Sequence, residues 1–204
     1  MYTVVGDPRN RSLRVMWMLE ELGQPYEIEL AGAQSERMRA INPTGKAPAL
    51  IAEDVAIPDS VAIITFLADR HGACTHPAGS VERALQDAAT QFCVDELEGA
   101  CWTAAKNRFI HPEDKRSAVD DTCAFEFELA QKRLERILGD KPFVTGETFT
   151  VPDILIVHCL NWGERMHKYA IREGAVADYR ARVAARPALA AAMARGKEAV
   201  AAAA

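Results

Sequence analysis

The chain has 204 residues, 49% of them hydrophobic, and 24 basic against 29 acidic side chains give a net charge of −5. This is a globular composition, large enough for one large or two small domains. The mixed charges, without a basic run interleaved with aromatics, exclude a polyanion-binding surface, so no nucleic-acid partner is expected.

The predicted elements follow in chain order. Tyr2 to Val5 is a short apolar strand ending at Gly6. Ser12 caps a helix carrying Val15, Met18, Leu19 and Leu22 at helical spacing, and Gly23 stops it. Tyr26 to Leu30 alternates as a strand does. Ser35 to Ile41 is a short helix ended by Asn42-Pro43. Ala49 to Ala52 and Val55 to Ile57 flank Glu53-Asp54, a two-residue hairpin. Ser60 to His71 is a helix with Ile63, Phe66 and Leu67 facing inward. A β-α-β start closed by an antiparallel hairpin is a small α/β domain, assigned to residues 1–75.

The segment GACTHPAGS, Gly72 to Ser80, reads as a linker. Residues 81–204 then form an all-α domain. Val81, Leu85, Ala88 and Phe92 line one face of a first long helix. Cys123, Phe127, Ala130, Leu134 and Ile137 line another. In FTVPDILIVHCLNW, Thr150 and Asp153 form an Asp variant of the capping box with Phe149 and Ile154 as a staple, so a buried helix starts there. The Ala-rich tail from Ala188 has high helix propensity but few large anchors, and its end is expected to fray.

No apolar run approaches the roughly 20 residues of a membrane span. MYTVVGDPRNRS is too short and wrongly flanked for a signal peptide, so the expected compartment is the cytosol. The five cysteines (Cys74, Cys93, Cys101, Cys123, Cys159) form no CxxC pair and read as small buried hydrophobes. The five histidines lack ligand spacing, so no metal is expected.

Two places in the first domain carry candidate chemistry. In NPTGKAPAL, Asn42 to Leu50, a proline directly before a strand removes one ladder donor and holds Ala47 extended. Backbone groups left free there suit a peptide pairing in β fashion, although an ordinary turn proline explains the same spacing. Eleven residues on, Asp59-Ser60 opens a helix. Its free N–H groups and a Ser hydroxyl suit a carboxylate, and Asp59 suits an ammonium; either residue also serves as a plain cap.

LEELGQPYE at Leu19 to Glu27, INPTGKAPAL at Ile41 to Leu50, PDSVAI at Pro58 to Ile63 and FTVPDI together resemble the cytosolic glutathione S-transferases. The resemblance covers essentially the whole chain. It implies a thioredoxin-like α/β domain followed by an all-α helical domain, with glutathione as co-substrate. It also implies that Pro48 is the family's cis-proline and that Ala47 holds the cysteinyl backbone. Asp59 and Ser60 would hold the γ-glutamyl end, with Asp standing where Glu is more usual. Lys46 would approach the glycyl carboxylate, unless it is simply solvated.

The family's chemistry needs a donor that keeps the sulfur as thiolate, since a free thiol with pKa near 8.5 is mostly protonated at neutral pH. The loop GDPRNRSLR contains no Tyr or Cys. Asn10, through its amide, and Ser12, through its hydroxyl, are the candidates, with Arg9 and Arg11 adding positive charge. The resemblance further implies a small hydrophobic electrophile, bound between the domains near aromatics such as Phe92, Trp102 and Phe109, and a homodimer. The expected function is a cytoplasmic glutathione transferase of detoxification type. The alternatives are another glutathione-dependent activity (peroxidase, dehalogenase or isomerase) or a non-catalytic binding or regulatory module.

Overall fold

The structure is a computed structural model and describes residues 1–203. They fall into two compact units, residues 1–78 with those from 185 on, and residues 79–184.

The first unit is built on a four-stranded sheet in the order β2-β1-β3-β4. β1 (Tyr2–Val5) pairs parallel with β2 (Tyr26–Glu29), which requires the crossover that α1 (Ser12–Glu21) supplies. β3 (Ala49–Ala52) runs antiparallel to both β1 and β4 (Val55–Pro58). The β3–β4 turn has Glu53 at φ 52° and Asp54 at φ 63°, the twin positive angles of a type I′ hairpin. α2 (Glu36–Ile41) is capped by the Ser35 hydroxyl, which accepts from Met38 N–H. Its Met38 packs with Val5, Ala31 and Ala49. α1 and α3 (Ser60–His71) pack on each other and on the sheet. The buried Val15, Met18 and Leu19 of α1 and Ile63 and Leu67 of α3 are the spacing read from sequence.

The last helix, α9 (Pro187–Ala202), belongs to this first unit, where the sequence reading placed residues 81–204 together in the helical domain. It packs on α1. Two arginines supply the anchors that the Ala-rich tail lacks: Arg186 grips Glu21 through two bonds of 2.6 and 2.7 Å, and Arg195 reaches the Tyr26 carbonyl at 2.6 Å. Helical structure continues to Ala202, as the high helix propensity of this tail predicts, and the very last residue, where fraying is expected, lies outside the described residues.

The second unit is helical. α4 (Val81–Phe92) leads through a π-helical turn (Cys93–Glu98) into α5 (Gly99–Phe109), then α6 (Asp120–Leu138), α7 (Val151–Trp162), a second π turn (Gly163–His167) and α8 (Ala175–Ala184). α7 is buried almost all round, as a helix through the middle of a core must be. Its start is fixed by Asp153, whose carboxylate accepts from Thr150 N–H (2.8 Å), Val144 N–H (2.9 Å) and Tyr179 O–H (2.7 Å). Four of the cysteines are buried core residues, as read from sequence.

The apolar face read on α4 is not the buried one. Val81 and Leu85 of α4 are 73% and 63% exposed, while Gln86, Ala89 and Thr90 are buried. Thr90 donates back to the Gln86 carbonyl at 3.0 Å, which satisfies its hydroxyl inside the core. The more apolar stripe of α4 is therefore left on the surface.

Candidate functional site

The site begins with the turn before β3. Asn42 is buried, and its carboxamide organises NPTGK from within. Oδ1 accepts from Thr44 N–H (3.1 Å) and Thr44 O–H (3.0 Å), while Nδ2 donates to the Lys46 carbonyl (2.7 Å). Gly45, at φ 64°, packs so closely on Gln34 that a Cβ would lie 2.7 Å from its side-chain oxygen. Gln34 closes the turn through its N–H to the Gly45 carbonyl at 2.8 Å. Lys46 follows with an exposed side chain, and the Ala47-Pro48 peptide is cis. Neither Ala47 N–H nor its C=O pairs with backbone among the described residues, so the strand entrance keeps one donor and one acceptor available.

At the next corner Asp59 adopts φ 72°, ψ 124°, a conformation rare for a residue with a Cβ and one that concentrates at functional sites. Its carboxylate caps α3, accepting from Val61 N–H (2.9 Å) and Ala62 N–H (3.1 Å). Ser60 is 97% buried yet its N–H has no backbone partner among the described residues. Its hydroxyl oxygen accepts from Arg14 Nη1 at 3.2 Å. With that lone pair occupied, the hydroxyl proton points elsewhere. Ser60 N–H, Ser60 O–H and the α3 N-terminus form an anion-binding corner, and the Arg14 guanidinium adds a positive charge beside it.

The third component is the loop between β1 and α1. Asn10 Oδ1 accepts both the Ser12 N–H and the Ser12 O–H, each at 2.9 Å. Because a backbone N–H can only donate, the atom it meets must be the amide oxygen, and Nδ2 faces away with its donors unspent. The helix starts after Arg11, so Ser12 is the first helical residue; the expected Ser12 cap is replaced by the Asn10 side chain. Ser12 is 99% buried, and a Cβ on Gly6 would sit 2.2 Å from its hydroxyl and 3.6 Å from Pro48 Cα. Gly6, Ser12 and Pro48 are thus in one place. Arg9 does not contribute the expected field: it is folded onto Asp7 in a paired contact, which holds the Asp7 carboxyl below its ordinary range.

The first turn of α1 joins the two halves, with Ser12 beside Pro48 and Arg14 beside Ser60. The structure therefore gathers Asn10, Ser12, Ala47 and Pro48 at one end and Asp59 and Ser60 at the other, while Lys46 stands exposed at the margin. Such an arrangement can receive an extended peptide at Ala47, a carboxylate at Ser60 and an anion at Asn10. Sequence reasoning missed Arg14, Asn42 and Gly6. Arg14 had a signal: it is the one charge within SLRVMWML, on a helix otherwise patterned for burial.

The sequence profile described as "Glutathione S-transferase, N-terminal domain" matches residues 10–77, which contain every one of these site residues except Gly6. Hematopoietic prostaglandin D synthase of Gallus gallus is 30% identical over 146 residues, covering 71% of this chain and 70% of that protein. This chain belongs to the glutathione S-transferase family. Glutathione S-transferase 3 of Schizosaccharomyces pombe is 34% identical over 73 residues, 34% of this chain and 30% of the relative. The chain spans about a third of the length of two curated relatives it matches, 30% and 32%. The glutathione transferase URE2P6 of Phanerochaete chrysosporium, solved with oxidized glutathione, superposes with a TM-score of 0.81 at 23% identity, covering 97% of this chain and 96% of that one. That likeness establishes the family fold, a thioredoxin-like first part with a helical second part. Among the described residues no helix is long and apolar enough to cross a membrane.

Proposed function

We propose that the chain is a glutathione transferase. The unpaired Ala47 backbone beside the Ser60 corner carries this reading, because it offers a main-chain donor and acceptor within reach of an anion site. Glutathione lies extended across them. Its cysteinyl N–H and C=O pair with Ala47 beside Pro48. Its γ-glutamyl carboxylate takes Ser60 N–H and O–H, its ammonium faces Asp59, and Lys46 approaches the glycyl carboxylate. A neighbour of the same fold carries oxidized glutathione, which supports the ligand class.

The sulfur is held by the Asn10 amide, whose donors Ser12 turns outward by occupying the oxygen. A hydrogen bond to an anion is worth roughly 1.5–3 kcal/mol. At 1.36 kcal/mol per unit this lowers a thiol pKa by about one to two units from near 8.5. The thiol proton leaves to solvent, and the thiolate forms a C–S bond with a small apolar electrophile as the displaced bond's electron pair departs. The exposed stripe of Val81 and Leu85 supports a homodimer, and a cytoplasmic enzyme without a metal completes the reading.

Isothermal titration with glutathione is the first test. Binding at or below millimolar concentration is expected; absence of binding there refutes the reading. A second reading, a non-catalytic module or another glutathione-dependent activity, is favoured by one observation: the loop has no Tyr or Cys, and its Ser12 hydroxyl is spent on Asn10. Ultraviolet titration of the bound thiol separates a glutathione-dependent catalyst from a module, and turnover of an aryl halide separates the transferase from other glutathione-dependent activities. A pKa lowered below the free value supports a catalyst, and an unchanged value supports the module.

A further inference from the structure

Gly196 is out of keeping with its surroundings. α9 reads PALAAAMARGKEAVAA, in which alanine fills half the positions and glycine is the poorest helix former after proline. Nothing in the backbone asks for it, since Gly196 is not among the glycines at positive φ. Space does. A Cβ on Gly196 would lie 2.6 Å from Pro8 Cβ, 3.2 Å from Pro8 Cγ and 3.3 Å from Met16 Cε. The Met16 side chain can rotate, whereas the Pro8 ring is buried and tied to its own backbone. Pro8 stands two residues before Asn10, inside the turn closed by Asn10 N–H on the Asp7 carbonyl at 3.1 Å.

The helix cannot easily retreat from this contact. Arg186 holds Glu21 at the start of α9. Arg195, adjacent to Gly196, donates to the Tyr26 carbonyl and lies 3.7 Å over the Tyr26 ring centroid. Leu189 and Ala192 are buried at helical spacing ahead of Gly196. These contacts, all on the N-terminal side of Gly196, set the register of α9 on α1, and Arg195 fixes the residue directly before the place where the helix meets Pro8.

We propose that Gly196 is a positioning residue: through a contact without a Cβ, α9 seats Pro8 and thereby fixes where the Asn10 amide points. The proposal rests on the reading of Asn10 as the donor to the glutathione sulfur. Adding a methyl group displaces the loop by a few tenths of an ångström or more. The glutathione clamp at Ala47, Asp59 and Ser60 is not touched.

Gly196→Ala tests this, with Ala194→Gly as a control that alters helix propensity on the exposed side of α9. In Gly196→Ala the turnover of an aryl halide is expected to fall ~10- to 100-fold, as small displacements of catalytic groups do. The bound-thiol pKa rises by about one unit, and the Kd for glutathione stays within about threefold. Hydrogen exchange of the free protein shows faster exchange across residues 6–13 in Gly196→Ala and not in Ala194→Gly. Arg195→Met, which loosens α9 without adding an atom, is expected to speed exchange in the same peptide, so the idea stays testable if Gly196→Ala does not fold. Wild-type turnover, thiol pKa and loop exchange in Gly196→Ala overturn the proposal, as does unchanged exchange in Arg195→Met or a loss of glutathione binding in Gly196→Ala. If the wild-type protein binds no glutathione, the functional reading fails instead, and the exchange data alone decide whether α9 seats the loop.

Discussion

Asn10→Asp separates holding the loop from holding the sulfur. The carboxylate still accepts the Ser12 N–H and O–H that Asn10 Oδ1 accepts at 2.9 Å, so the turn before α1 survives. A negative charge at that helix start adds about 0.3–1 kcal/mol of favourable dipole interaction, so thermal stability is expected to hold or rise. On the other side of the residue a donor becomes an anion. Losing a hydrogen bond to thiolate costs roughly 1.5–3 kcal/mol. Repulsion between two unit charges ~4 Å apart adds at least about 1 kcal/mol even at the dielectric of water. The total, ~2.5–4 kcal/mol, corresponds to about two to three pKa units. The bound thiol should then titrate at or above its free value, read as thiolate ultraviolet absorbance against pH for protein with and without glutathione. Asn10→Ala should raise the pKa by only about one to two units, while losing the turn contact worth ~1 kcal/mol in stability. Ser12→Ala should shift it by less than about one unit, because the hydroxyl is spent on Asn10. An Asn10→Asp protein that binds glutathione with its thiol pKa within ~0.3 units of wild type refutes this assignment. A larger effect from Ser12→Ala than from Asn10→Ala would move the sulfur to the hydroxyl.

Asp59→Asn keeps an oxygen for Val61 and Ala62 N–H, so the melting transition should change by less than about 1 kcal/mol. Glutathione should bind ~5- to 10-fold more weakly, and an analogue lacking the γ-glutamyl ammonium should bind both proteins alike; equal loss with the analogue would reduce Asp59 to a cap. Leu85→Glu places a charge in the exposed α4 stripe, and sedimentation should then show monomer where wild type shows dimer; a persistent dimer means another surface is used. His167 supplies a pH test of the helical unit. Burial pushes its imidazole below the ordinary 6.5, with Arg108 acting the same way and the Cys101 backbone bond and Asp120 opposing. The unfolded chain therefore takes the proton more readily, so this contribution is complete above about pH 6.5 and is lost as pH falls through the lowered folded value. His167→Gln should flatten the acid limb of Tm against pH relative to wild type; parallel limbs would show that His167 is not a source of the slope.

Much of the first unit was legible because its signals are local. The hairpin at Glu53-Asp54, the buried spacing of α1 and the end of α2 at Asn42-Pro43 each depend on neighbours a few residues away. The capping box at Thr150 and Asp153 was legible for the same reason, but not the Tyr179 hydroxyl that completes it from 26 residues on. What failed depended on distant partners. The tail was read as weakly anchored because its contacts, Arg186 to Glu21 and Arg195 to Tyr26, join residues more than 160 positions apart. The apolar stripe of α4 was read as one face of the helix, but periodicity identifies an apolar face without saying what, if anything, covers it. The division of labour between Asn10 and Ser12 also lay outside the sequence, since spacing cannot show which way a carboxamide is turned.

In the first unit three departures from local rules lie around the site. Asp59 carries a Cβ at φ 72°, Arg14 is a fully buried charge on a core helix, and Gly196 interrupts an alanine helix. Each would be a defect if local propensity were the only criterion. Each also touches one of the two places where a peptide ligand would need support: Asp59 and Arg14 at the Ser60 corner, Gly196 at the loop of Asn10. Three polar residues buried in the second unit behave differently. Gln131 is spent on the Ala170 carbonyl and Arg172 N–H, Thr90 on its own helix, and Asp153 on the start of α7. Those groups are used up in holding helices, whereas Ala47, Ser60 and Asn10 keep donors to spare. A ligand that satisfied them would pair groups the fold itself leaves unmatched, and the first turn of α1 brings the corner and the loop together, which is why the binding reading rests on them.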